Sequence, residues 1–126
     1  MSGLTEFLHD RFDEEKLAAL TALAAGPGPW QEAPDGSRIV DADGTTVASV
    51  AIGKSRAVVH HIVQNDPARL LREAAAKRQL LALHAESPAM VNRCRSCGVI
   101  DSPCLTKRLL ALPYIHHPLY LHEWRP

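Results

Sequence analysis

Along residues 4–25 the apolar side chains Leu4, Phe7, Leu8, Phe12, Leu20 and Leu23 recur at mostly helical spacing, with acidic side chains between them. The pattern predicts an amphipathic helix whose apolar stripe faces a core. Gly26-Pro27-Gly28-Pro29 ends it, because glycine can close a helix and proline cannot extend one. Beyond Trp30 the rhythm changes. Asp35-Gly36 and Asp43-Gly44 flank a short Ile39-Val40 run and precede Val47, Val50 and Ile52. Paired Asp-Gly turns around short β-branched runs predict a three-stranded antiparallel meander spanning residues 37–41 and 45–52. Trp30 is expected to pack over its open face.

Helical spacing returns at residues 54–64, where Val58, Val59, Ile62 and Val63 form a short stripe. Asp66 can then cap a new helix, and Pro67 can occupy a first-turn position that needs no amide donor. That helix is expected to run to about Glu86, with Leu70, Leu71, Ala74 and Leu81 inward and His84 at the margin of the same face. Ser87-Pro88 stops it. Cys104 opens a last short helix over residues 105–112, before Pro113 and a tail carrying Tyr114, Tyr120 and Trp124. The expected fold is α+β: an N-terminal helix, a small antiparallel β-meander, a long central helix, and a cysteine-bearing knuckle closed by a short C-terminal helix. We read it as one domain, with helix and meander in 1–53, helices in 54–86, and knuckle, last helix and tail in 87–126.

Composition supports folding. The 126 residues are 46% apolar and 22% charged, unlike a disordered chain. Aromatics are only 5%, so Leu, Ala and Val supply most of the packing and a metal cross-link adds stability such a core lacks. The N-terminus has neither the basic start nor the apolar run of a secretory signal. No stretch reaches the roughly 18 apolar residues that span a bilayer, so a cytoplasmic protein without membrane contact is expected.

Charge is balanced overall but unevenly spread. Residues 1–43 hold nine acids against three bases, and the remainder holds five acids against eleven bases. Such a split accommodates ordinary solvated faces, or a basic surface for nucleic acid or an acidic partner.

The strongest chemical signal is Cys94-Arg95-Ser96-Cys97-Gly98. Two thiolates two residues apart can grip one tetrahedral metal ion, and the glycine supplies the backbone angles such a knuckle needs. Cys104 lies close enough to return as a third ligand, and a helix N-terminus there favours its thiolate. An odd set of three clustered cysteines argues against a disulfide framework. Three sulfurs suit Zn2+, and a closed structural site wants a fourth ligand. His84 is preferred, since its helix leads directly into the knuckle; His60, His61, His116, His117 and His122 are the other candidates.

Competing chemistries fit less well. A redox dithiol of Cys94 and Cys97 would leave Cys104 idle, and nothing near Cys104 identifies a base for nucleophilic catalysis. His84-Ala85-Glu86 followed by Cys94 and Cys97 echoes zinc deaminases. However, the intervening chain is too short, Arg93 stands where proline belongs, and Cys104 would fill the position of the reacting water. No His-Glu-x-x-His helix, phosphate loop or nucleophile elbow occurs. Arg93, Arg95, Lys107 and Arg108 near the cysteines, with Arg69, Arg72, Lys77 and Arg78 on the preceding helix, could meet phosphates, although aromatics are not interleaved with them.

Taken in order, Gly28-Pro29-Trp30, His61-Ile62, Asp66-Pro67-Ala68-Arg69, Leu83-His84, the cysteine pair, Pro103-Cys104, Pro113-Tyr114, His117-Pro118 and Trp124 form a linked series. Over nearly the whole chain this series resembles a group of small uncharacterised actinobacterial proteins, also seen among phage-related genes. Leu105 and Lys107 depart from that pattern, where proline and leucine are expected. The resemblance implies that His84 and the cysteines act as a unit, and that the role is accessory or regulatory. The expected function is a zinc-stabilised binding module with a protein partner, or with nucleic acid through the basic half. The alternative is a metal-dependent enzyme, deaminase-like or a hydrolase, using the zinc site.

Overall fold

A computed structural model describes residues 3–51, 55–101 and 103–126. Helix α1 (Gly3–Ala25) is followed by strands β1 (Gln31–Glu32), β2 (Arg38–Val40) and β3 (Thr46–Ser49), then helices α2 (Ser55–Gln64) and α3 (Pro67–Leu83). Strands β4 (Glu86–Ser87) and β5 (Met90–Cys94) and helix α4 (Leu105–Ala111) complete the order, with single 3-10 turns at Leu112–Tyr114 and His122–Trp124. This is an α+β architecture, as expected. Ile52 and Lys54, placed by the sequence at a strand end and a helix start, lie outside the described residues. The chain forms two compact units, residues 15–74 and residues 1–14 with 75–126.

In the unit of residues 15–74 the strands pair antiparallel in the order β1-β2-β3, with a register shift between Ile39 and Val40. Both Asp-Gly pairs make the tight turns that the sequence requires. Gly36 and Gly44 adopt φ of 72° and 83°, the left-handed region open to glycine at little cost. At the second turn the buried Asp41 carboxylate accepts the amides of Asp43 and Thr45, each at 2.9 Å. Ile39 and Val59 are fully buried, and Ala19, Ala33 and Ala74 are buried in the same unit. Asp66 caps α3 through the Arg69 amide at 3.0 Å and also accepts the Trp30 amide at 3.1 Å. The Trp30 indole N–H donates to the Gly26 carbonyl at 2.8 Å, so this ring closes the end of α1.

The other unit is built on an aromatic cluster. Leu4, Phe7, Leu8, Phe12, Leu81, Ala111 and Trp124 are its buried members, with Leu110, Tyr114 and Tyr120 packed against them. Phe7 meets Tyr114, His117 and Tyr120 edge-on, at centroid distances of 6.1, 5.4 and 6.1 Å. Arg11 is buried beside it, donating to Glu14 and to His117 Nδ1 and lying 4.8 Å over the Phe7 ring. These contacts carry the helix stripe and the tail aromatics into one core.

Three expectations need correction. Leu20 and Leu70, assigned inward from helical spacing, are exposed, because periodicity marks a face but burial needs a partner for it. The central helix ends at Leu83 rather than near Glu86. Glu86 and Ser87 instead pair with Cys94 and Met90 as the hairpin β4-β5, which the sequence reading did not foresee.

Candidate metal centre

The hairpin brings the cysteine segment back over the end of α3. The Arg95 amide donates to the Ala85 carbonyl at 2.9 Å, and the Ser96 hydroxyl donates to the Leu83 carbonyl. Knuckle donors thus satisfy carbonyls that the helix end leaves open. The knuckle itself closes through Cys94 N–H to Val99 O and Gly98 N–H to Cys94 O, both 2.9 Å. Gly98 sits at φ 77°, the left-handed conformation anticipated for it. Cys104 stands immediately before α4, in extended backbone, without a side-chain capping hydrogen bond.

These constraints converge four donors. The ligand atoms of His84, Cys94, Cys97 and Cys104 all lie within 4.8 Å of one another. His84 Nδ1 is 3.4 Å from Cys94 Sγ and 3.5 Å from Cys104 Sγ. A tetrahedral zinc with ordinary Zn–S and Zn–N bonds separates sulfur from nitrogen by about 3.6 Å, so both spacings fit one shared ion and select Nδ1 as its ligand. Cys94 and Cys104 are buried, His84 is half-buried, and Cys97 is exposed.

The other candidate histidines are elsewhere. His60 Nδ1 pairs with Glu32 at 3.0 Å, and His117 Nδ1 accepts from Arg11 and from the Leu119 amide. His61, His116 and His122 are exposed and absent from the cluster, so among the described residues His84 is the histidine that joins the cysteines.

Electrostatics separate the two buried thiols. Burial pushes the Cys94 thiol up, but the amides of Cys97 and Ser96 and the side chains of Cys97 and His84 outweigh it and bring the value down to about 6. For Cys104 burial prevails: the Lys107 amide favours the anion, while the Cys94 and Cys97 sulfurs repel it, and the thiol lies above its ordinary value. The expected helix-terminus assistance to Cys104 is present but too weak to win. A divalent cation among these sulfurs removes the repulsion, because it stabilises every thiolate it binds.

The basic residues divide. Arg69 pairs with Glu73, and Arg78 pairs with Asp13. Lys107 is buried and, with Arg93, lines a cleft beside Cys94 and Cys104, a placement that sequence reasoning missed. No helix of the described residues is long and apolar enough to cross a membrane.

Fold and donors define a small α+β protein with a His/Cys3 cluster that could hold a metal ion. The chain belongs to a family of unknown function (DUF6221), whose model matches residues 1–126. No curated protein and no solved structure gives a significant match.

Proposed function

We propose that this chain is a zinc-stabilised binding module whose metal centre is structural and whose partner is a protein. The convergence of one imidazole nitrogen and three sulfurs within 4.8 Å of one another carries the reading. Three soft sulfurs with one nitrogen favour zinc over harder cations. Four protein donors leave no position for a reacting water, which weighs against the metal-dependent enzyme.

The surface near the cysteines supports a protein partner ahead of nucleic acid. Val91, Ile100, Leu105 and Leu109 are about half exposed or more, and Arg93, Arg95 and Arg108 neighbour them in sequence. Nucleic-acid surfaces set aromatic rings among their basic residues. Here Phe7, Tyr114, Tyr120 and Trp124 belong to the core.

Elemental analysis of purified protein tests the reading, with one zinc per chain expected. His84→Ala and Cys104→Ser should each lose the ion and melt at lower temperature; metal-free protein with unchanged melting in both variants refutes it. Salt-sensitive gel shifts with mixed DNA and RNA would move the partner from protein to nucleic acid.

A further inference from the structure

We propose that Cys97 is a peroxide-reactive sulfur whose oxidation to a disulfide with Cys94 discharges the metal and loosens the knuckle. The inference rests on the structural-zinc reading and adds the regulation of that site. Cys94 and Cys104 are buried, whereas Cys97 is exposed, so the three sulfurs differ in what can reach them. Oxidation of a cysteine follows its thiolate character and its access to solvent, and zinc ligation fixes the first for all three. Access therefore selects Cys97.

Two further observations set this sulfur apart from an ordinary surface thiol. Cys94 and Cys97 together line a hollow of about 300 Å3 with Arg93, Arg95 and Ser96, wide enough for a peroxide molecule. Guanidinium groups there favour a thiolate and the hydroxide that the reaction expels. In addition, a second sulfur stands within reach: the donor atoms of the cluster lie within 4.8 Å of one another, and the Cys97 side chain hydrogen-bonds to the Cys94 sulfur. Towards Cys104 it acts instead as a like charge. Cys94 is thus the resolving sulfur.

The Cys97 thiolate attacks one peroxide oxygen; an S–O bond forms, the O–O bond breaks, and hydroxide leaves. The Cys94 thiolate then attacks the sulfenic sulfur; an S–S bond forms, the S–O bond breaks, and a second hydroxide leaves. Two thiolates give up two electrons, one peroxide takes them, and two solvent protons turn the hydroxides into water. His84 and Cys104 remain, two donors for an ion that a closed site holds with four. Strand β5 exposes four of its five residues, so apolar burial does little to keep the emptied hairpin in place.

The zinc-loaded chain is treated with hydrogen peroxide while a chromogenic chelator reads free zinc and peptide mapping follows the sulfurs. Zinc release in step with a Cys94–Cys97 disulfide is expected, with Cys104 still a thiol, residues 90–104 losing amide protection, and dithiothreitol plus zinc restoring the starting state. Cys97→His keeps a fourth donor at the exposed position and removes the reactive sulfur. It should form no disulfide and hold its zinc over the time in which the unaltered chain is emptied; should it fail to bind zinc, the mapping of the unaltered chain decides. Retained zinc under peroxide, a bridge to Cys104, sulfinic acid in place of a disulfide, or equal release from Cys97→His overturns the inference and leaves the structural zinc standing. A purified chain without zinc overturns both.

Discussion

The β-meander of residues 31–49 and the knuckle of residues 84–104 are both short strands joined by tight turns, yet they are held together differently. The meander buries Ile39 completely and anchors its second turn on the buried Asp41 carboxylate. In the knuckle, β5 exposes four of its five residues, and Cys94 and Cys104 are its buried side chains. An isolated hairpin is marginal in water. A segment with so little apolar burial needs another source of order, and a metal ion held by the converging donors would supply one.

The largest expected effect follows from that contrast. Chelation, or Cys94→Ser, should cost the fold several kcal/mol, about 10 °C or more in melting temperature, since the binding energy of a structural zinc is folding energy. Amide exchange should show residues 90–104 losing protection while residues 38–49 keep theirs. Equal loss in both regions would erase the distinction.

Acid probes the same bond from another side. The Cys94 thiol is brought down to about 6, so its thiolate is present at neutral pH and protons compete for this sulfur as pH falls through that value. In zinc-free protein the stability owed to this lowered value is present above the ordinary thiol range and is likewise lost as pH falls through about 6. Cys104, held above its ordinary value, must instead give up a proton when metal enters. Calorimetry at neutral pH in buffers of different ionisation enthalpy should therefore register proton release on zinc uptake, retained in Cys94→Ser and diminished in Cys104→Ser if those variants still bind.

The meander should fail through its carboxylates. Asp66→Ala removes the acceptor for the Trp30 and Arg69 amides together. A lost cap plus a second unsatisfied donor predicts a cost of about 2–3 kcal/mol by denaturant unfolding, with zinc content unchanged. Loss of zinc in this variant would show that the two regions do not stand apart.

Much of this division was legible in the residues. Asp-Gly pairs fix turns through glycine's backbone freedom, Asp66-Pro67 announces a cap, and cysteine spacing announces ligands, all by local chemistry. Features that depend on distant partners were not legible. Nothing near Tyr114, Tyr120 or Trp124 points to Phe7, more than a hundred residues earlier, as the ring they surround. Glu86-Ser87 continues a helical sequence and becomes a strand because Cys94 and Met90 are brought opposite it. Asn92 breaks the alternation that would have revealed β5, since its positive φ turns the strand out of regular pleat. Leu20 illustrates the reverse error, a perfect helical position that lies 46% exposed.

A smaller effect is expected at Gly26. A β-carbon there would stand 2.5 Å from Val47 Cγ1, and a branched side chain on a strand cannot swing away. Gly26→Ala should cost about 1–3 kcal/mol from overpacking. Val47→Ala in the same chain should recover part of that loss, whereas additive costs would place the strain in the backbone instead.

The smallest effect sharpens what the tryptophan does for the meander. Trp30 was expected to serve by packing, but its indole N–H also meets the Gly26 carbonyl at 2.8 Å, where α1 ends and a helical partner is no longer available. Trp30→Phe keeps an aromatic ring and deletes that donor. If the hydrogen bond matters, stability falls by about 1 kcal/mol, with the Asp66 contact to the residue-30 amide intact. If the ring alone matters, phenylalanine should pass almost unnoticed and only Trp30→Ala should register, by the several kcal/mol that a lost aromatic side chain costs. The ratio of the two changes therefore measures how far this region relies on polar closure, the property that distinguishes it from a knuckle gathered around a His/Cys3 cluster.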